Sequence, residues 1–226
     1  MIEELLPESV VAVEAHGDDP LWDAPLHPGE EALVARALTK RRREFAAARG
    51  CARRAMEKLG VPAQSVLRGE RGAPRWPAGL IGSITHCEGY CAAALARAGD
   101  LASLGIDAEP HGPLPEEVRP AVHLPAEAER FARLSDRRPG VHWDTILFSA
   151  KESVYKAWFP LARTWLDFSE ADIFLDPGPG DEPHGTLRAE LLVPGPRVGG
   201  RRVQVFDGRW AVRDGVVTTA VVVPHS

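Results

Sequence analysis

Asp107 and Glu109 stand two residues apart behind Gly105-Ile106, and Glu152 lies far downstream in Lys151-Glu152-Ser153-Val154-Tyr155-Lys156. On a strand, side chains at i and i+2 share a face, so the first two carboxylates can aim at one hard cation. Glu152 and Lys156 are i,i+4 neighbours on a helix, which offers a third carboxylate beside an ammonium group. Carboxylates for magnesium next to lysine for phosphate suit a phosphate ester or anhydride substrate. The competing readings are that Glu109 lies past the strand end in water, and that Glu152 pairs with its lysines in solvent.

A second set of residues is cationic. Lys40-Arg41-Arg42-Arg43, then Arg49, Arg53 and Arg54, run through an apolar stripe, and Arg41 falls where that stripe expects a hydrophobe. A guanidinium beside a buried face needs an anion. Arg41 and Arg49 are eight apart and face broadly the same way; the alternative is a solvated basic face whose stems lie along the stripe. Arg68-Gly69-Glu70-Arg71-Gly72-Ala73-Pro74 is a tight charged turn whose glycines permit close backbone approach to a ligand. Ser83-Ile84-Thr85-His86 sets a hydroxyl and an imidazole at a strand end, where they bind phosphate or act as structural hydrogen bonders. His86-Cys87 with Cys91 lacks the second ligand pair that a zinc site needs.

Several elements must position these groups. Val34, Leu38, Phe45, Ala48, Ala52, Ala55 and Leu59 keep a 3–4 spacing. They predict one long helix over 30–59, or two hinged near Arg42, closed by Gly60-Val61-Pro62. Strands are expected over 80–84, 91–96 and 104–108, then a proline-rich connector over 110–125. A helix over 126–134 precedes a stronger one over 142–159 with Ile146, Ala150, Val154 and Ala157 inward, closed by Pro160. Further strands fall at 173–175, 187–193, 203–206 and 216–223. The first thirty residues read as irregular. Helix, strands, connector, helix, strands is an α+β order, in which two similar α/β lobes pack as a pseudo-dimer. The expected division is 1–108 and 109–226.

The 226 residues suffice for one large domain or two small ones, and 44% are hydrophobic. A net charge of −5 argues against nucleic acid as a partner. No apolar run reaches a membrane span, and Met1-Ile2-Glu3-Glu4 lacks the basic start of a signal peptide. Three cysteines, an odd number, suit a reducing cytoplasm.

Taken together, Gly105-Ile106-Asp107-Ala108-Glu109, Trp143 and Phe148-Ser149-Ala150-Lys151-Glu152-Ser153-Val154-Tyr155-Lys156 resemble the paired signatures of 4'-phosphopantetheinyl transferases. Lys40-Arg41-Arg42-Arg43-Glu44-Phe45 with Arg49, and Gly82-Ser83-Ile84-Thr85-His86-Cys87, match as well. The chain looks most like the monomeric, two-lobed surfactin and enterobactin branch, and nearest its actinobacterial members. The resemblance spans about residues 36–165.

It implies transfer of phosphopantetheine from coenzyme A to a serine of an acyl or peptidyl carrier protein, with adenosine 3',5'-bisphosphate as leaving group. Carried over by position, Asp107, Glu109 and Glu152 ligate magnesium, and manganese shares the same oxygen chemistry. Arg41, Arg49 and His86 hold the 3'-phosphate; Arg68, Gly69, Glu70 and Arg71 line the adenine end; Thr85, Lys151 and Lys156 contact the phosphates. The family often has lysine where Arg68 stands, which keeps the charge, and lysine at the place of Ala73, which removes one phosphate contact. Glu152 is the expected base, directly or through a water on the metal, and Lys156 balances charge on the leaving phosphate. Leu114, Val118, Val122 and Leu124, with Arg119 and Arg130, would dock the carrier, or these apolar groups cap the core between lobes. Two rival readings use the same residues: a metal-dependent hydrolase of coenzyme A or nucleotide anhydrides, and a non-catalytic binding module built on the arginines.

Overall fold

The computed structural model describes residues 1–180 and 182–225. Two antiparallel sheets are each backed by a 20-residue helix. The first sheet holds β1 (Val10–His16), β2 (Leu80–Cys87) and β3 (Tyr90–Arg97) in the order β1-β3-β2. A short α1 (Glu30–Val34) precedes its helix, α2 (Thr39–Lys58). The second sheet opens with β4 (Ser103–Pro110). After α3 (Arg119–Val122), α4 (Pro125–Arg137) and α5 (Trp143–Ala162) come β5 (Ala171–Pro177) and β6 (His184–Leu191), a small hairpin of β7 (Arg197–Val198) and β8 (Arg201–Arg202), then β9 (Val205–Arg213) and β10 (Val216–Val223). Its order is β4-β10-β9-β6-β5.

Strand β3 joins the lobes because both of its faces are apolar. Cys91, Ala93 and Leu95 pack with Ala48, Ala52 and Met56 of α2. Ala92, Ala94 and Ala96 pack with Leu104, Ile106 and Ala108 of β4. Their small side chains let the second sheet come close. Strand β4 is an edge strand, and β2 satisfies its free amides with hydroxyls instead of a backbone ladder. The Ile106 N–H donates to Ser83 Oγ at 3.1 Å, and the Ala108 N–H donates to Thr85 Oγ1 at 2.9 Å. The serine and threonine of the phosphate-binding candidate segment therefore also stitch the lobes together.

Two lobes of sheet and long helix match the expected α+β plan, with three strands against five. Several boundaries differ. The division at 108/109 falls inside β4, which pairs with β10 and so belongs to the second lobe. The first thirty residues are not all irregular: Val10-Val11-Ala12-Val13 supply β1. The helical stretch over 30–59 does break, at residues 35–38 and not near Arg42, and Leu38 is 83% exposed. Its end is as expected, since Gly60 at φ +71 closes a Schellman motif with Gly60 N–H to Glu57 O and Val61 N–H to Met56 O. Helix α5 passes through Pro160 and ends at Arg163 in the left-handed region. A proline so near the end removes one intrahelical bond and leaves the last turn formed.

Candidate active site

Gly105 decides how closely α5 lies on β4. A Cβ there would sit 2.0 Å from the Ser153 carbonyl oxygen and 2.7 Å from the Ala157 nitrogen, so any larger residue pushes the helix away. Hydroxyls hold the helix in this seat. Ser103 Oγ donates to Ala157 O at 2.7 Å, Ser153 Oγ to Thr219 O at 3.2 Å, and Thr219 Oγ1 to Ser149 O at 2.9 Å. Thr219 is the cross-strand partner of Asp107, so the contact that seats the helix sits beside the candidate carboxylate.

The close seat brings Lys156 Nζ 2.7 Å from Asp107 Oδ1 and 3.1 Å from the Ile106 carbonyl. Thr85 Oγ1 donates to the same Asp107 oxygen at 3.3 Å. Asp107 Oδ2 is buried without a hydrogen-bond partner among the described residues. A buried carboxylate oxygen without a donor calls for a cation or water. Glu109 and Glu152 open onto the same cleft. Burial, then the charge of Asp107, raises the Glu109 carboxyl to about 7. Burial also raises Glu152, opposed by Lys156 and reinforced by Asp107. Among the described residues no three acidic, imidazole or thiol groups stand close enough to form a finished metal cluster. The donor set still fits a hard divalent ion: three carboxylates on one wall, one oxygen free, and mutual repulsion that a cation would relieve.

The cleft, about 1090 Å³, runs between the lobes. Its opposite wall is cationic. Arg49 is 7% exposed, donates from Nε to Val66 O at 3.2 Å, and stacks 3.8 Å above the Phe45 ring. Among the described residues no carboxylate forms an ion pair with it. Burial pushes its pKa down to about 10, opposed by the charge of Glu30 and reinforced by Arg68 and Arg41. Arg41 bonds His86 and reaches Glu44 at 3.4 Å. Burial and Arg41 lower the pKa of His86. Arg68, Gly69, Glu70 and Arg71 line the cleft on a tight loop in which Gly69 N–H donates to Ala73 O at 2.7 Å. The Arg68 guanidinium lies 5.6 Å from the centroid of the same Phe45 ring. The wall carries Arg41, Arg49, Arg68, Arg71 and Arg75 against Glu44 and Glu70, an excess of cationic donors that suits phosphate.

Lys151 is a correction. One residue along α5 turns its side chain about 100° away from the cleft. It is 2% exposed, donating to Glu127 Oε2 at 2.8 Å and to Phe168 O at 2.7 Å. Glu127 also takes the Leu124 and Ile173 amides, so Lys151 ties α4 and β5 to α5 and contacts no phosphate. Among the expected docking groups, the buried ones follow the alternative reading as core. Leu114 and Val122 are buried in the core of the second lobe, with Val118 packed against it. Arg119 pairs with Asp144 at 3.0 Å, and Arg130 pairs with Asp172.

The cleft also holds residues to which the sequence pattern assigned no part in the site. Phe148, Tyr155, Phe159 and Arg163 line it beside Glu152, and Arg75 and Trp76 line it from the first lobe. The signal was available for the first group: 148, 152, 155, 159 and 163 are spaced by three or four and share one helix face.

The sequence matches known proteins along most of its length. Residues 29–96 match the 4'-phosphopantetheinyl transferase N-terminal domain, and residues 103–192 match the 4'-phosphopantetheinyl transferase superfamily. The chain is 55% identical to the 4'-phosphopantetheinyl transferase Svp of Streptomyces mobaraensis, over 99% of this chain and 89% of that protein. It is 47% identical to Npt of Nocardia iowensis, over 98% and 99%. It is 42% identical to PptT of Mycobacterium tuberculosis, over 98% and 97%.

Proposed function

The chain belongs to the 4'-phosphopantetheinyl transferase family, and we propose on that premise that the cleft between its lobes is where coenzyme A and the carrier protein react. The protein transfers the 4'-phosphopantetheine group of coenzyme A to a carrier protein. The hydrolase reading finds no support among the relatives, and no relative argues for a binding module without activity. One observation carries the assignment of the site: a partnerless Asp107 oxygen and two carboxylates with raised pKa face a cationic wall across a single cleft.

In this reading the first lobe takes the nucleotide end. Arg41, Arg49 and His86 hold the 3'-phosphate, and the loop from Arg68 to Arg71 borders the adenine. The second lobe, from β4 onward, supplies the chemistry. Asp107, Glu109 and Glu152 hold magnesium, or manganese in its place. A bound divalent ion would offset the negative charge of the pyrophosphate during attack. The carrier serine oxygen bonds to the phosphorus that bears pantetheine, the bridging P–O bond breaks, and adenosine 3',5'-bisphosphate leaves. Glu152 receives the serine proton, since burial keeps its carboxyl more basic than an ordinary glutamate. Lys156, 2.7 Å from Asp107, balances charge that builds on the departing phosphate. Thr85 orients Asp107 and would contact the same phosphates from the cleft wall.

We read the protein as a cytoplasmic monomer whose macromolecular partners are carrier proteins, not nucleic acid or membrane. No helix among the described residues is long and apolar enough to cross a membrane, and Cys51, Cys87 and Cys91 are free thiols. The test is intact-mass analysis of an apo-carrier incubated with coenzyme A, magnesium and protein. A gain of one phosphopantetheine with release of the bisphosphate is expected. Release of bisphosphate from coenzyme A without any carrier would overturn the assignment in favour of hydrolysis.

A further inference from the structure

Val66 lies in the irregular stretch between α2 and β2, fully buried, two residues before Arg68. Both of its backbone polar groups are captured by charged side chains. Its carbonyl accepts from Arg49 Nε at 3.2 Å, and its N–H donates to Glu30 Oε1 at 2.8 Å. Glu30 is itself completely buried. Its second oxygen accepts the His27 N–H at 2.8 Å, and Arg53 Nη1 donates to both oxygens at 3.1 and 2.9 Å. Arg53 is 7% exposed and also donates from Nη2 to the Pro25 carbonyl at 2.6 Å. Neither Glu30 nor Arg53 lines the cleft. The guanidinium of Arg53 thus finds its anion inside the protein, one helical turn below an Arg49 that has none.

We propose that Glu30 and Arg53 are positioning residues for the 3'-phosphate of coenzyme A: they fix Val66, and through its carbonyl they aim the Arg49 guanidinium into the cleft. The backbone pairing that follows, Arg75 N–H to Leu67 O at 2.9 Å and the Arg68–Pro74 bridge, ties the loop only to itself, so the buried carboxylate that takes the Val66 amide sets where the Val66 oxygen lies. Arg49 is anchored by that oxygen at one end and by the Phe45 ring below it. The same ring carries Arg68. Displacing residue 66 therefore misplaces both arginines without touching Asp107, Glu109, Glu152 or Lys156, which belong to the other lobe. The packing of Leu67 against Gly29, where a Cβ would meet Leu67 Cδ2 at 3.2 Å, adds a second tie between the same two segments.

The inference rests on the reading that Arg49 holds the 3'-phosphate, and the experiment separates the two. Steady-state transfer is measured with coenzyme A and with 3'-dephospho-coenzyme A for the wild type, Arg49→Ala, Glu30→Gln and the double variant Glu30→Leu/Arg53→Met. The double variant removes both buried charges together, a change that buried ion pairs tolerate far better than loss of one partner. It is scored where its circular dichroism matches the wild type. It should raise KM for coenzyme A by about tenfold or more, with kcat within about twofold and KM for the dephospho donor little altered. Glu30→Gln keeps an oxygen for the Val66 N–H but leaves Arg53 without its anion; scored under the same circular-dichroism condition, it should retain most of the preference for the 3'-phosphate. A folded double variant with wild-type preference overturns the positioning role. An Arg49→Ala protein with unchanged preference overturns the phosphate assignment instead.

Discussion

Replacing Glu109 with glutamine should make the metal-free protein more stable while it removes transfer. The Glu109 carboxyl is raised from 4.5 to about 7, first by burial and then by Asp107. A rise of about 2.5, at roughly 1.36 kcal/mol for each pH unit, corresponds to about 3 kcal/mol of strain in the ionised fold. Solvent screening of this partly exposed side chain reduces the expected gain to about 1–3 kcal/mol. The sign follows from proton counting. The unfolded chain releases this proton near 4.5 and the folded chain near 7, so between those values the fold binds more protons and loses stability as pH rises. Urea unfolding in chelator should therefore favour the Gln variant at about pH 8, with a gap that shrinks below about 1 kcal/mol near pH 5. Added magnesium should stabilise the wild type and leave the variant almost unchanged, because binding to the native state alone raises stability. A Gln variant no more stable than wild type at about pH 8, or one stabilised equally by magnesium, refutes the reasoning.

Asp107→Ala and Glu152→Ala should each lower transfer by about 100-fold or more, read by carrier mass, with circular dichroism unchanged. Gly105→Ala should cost about 3 kcal/mol or more in thermal unfolding, since its Cβ meets helix backbone at 2.0 Å and no side chain can give way. Lys151→Ala strands a fully buried Glu127 and should cost about 3–5 kcal/mol, with KM for coenzyme A unchanged wherever the protein stays folded. Lys156→Ala should lower kcat and, since it leaves the buried Asp107 carboxylate without its ammonium partner, should also lower the unfolding midpoint in chelator.

The two signatures were legible because each is local. The i,i+2 carboxylates needed only a strand, and Glu152 with Lys156 needed only a helix. Both elements formed where the pattern put them. Lys151 misled for the same local reason: neighbours in sequence on a helix point to different sides, and its partner Glu127 is 24 residues away, beyond any periodicity argument. The connector hydrophobes read as a docking surface since nothing in 110–125 reveals that Leu114 and Val122 fold onto the second core. Strand β1 was missed because its partner, β3, lies about eighty residues downstream. Glu30 left no signal at all, being one glutamate among thirty-two acidic residues until the fold buries it against Arg53. Gly105 was visible as part of a motif, and only the approach of α5 gives it a reason.

The most direct measurement is anomalous diffraction from crystals grown with coenzyme A and manganese. One manganese peak is expected at coordination distance from Asp107 Oδ2, Glu109 and Glu152, touching the pyrophosphate, with the 3'-phosphate against Arg49. A manganese ion bound elsewhere, or coenzyme A lying in the cleft while Asp107 Oδ2 stays without a ligand, would contradict the account.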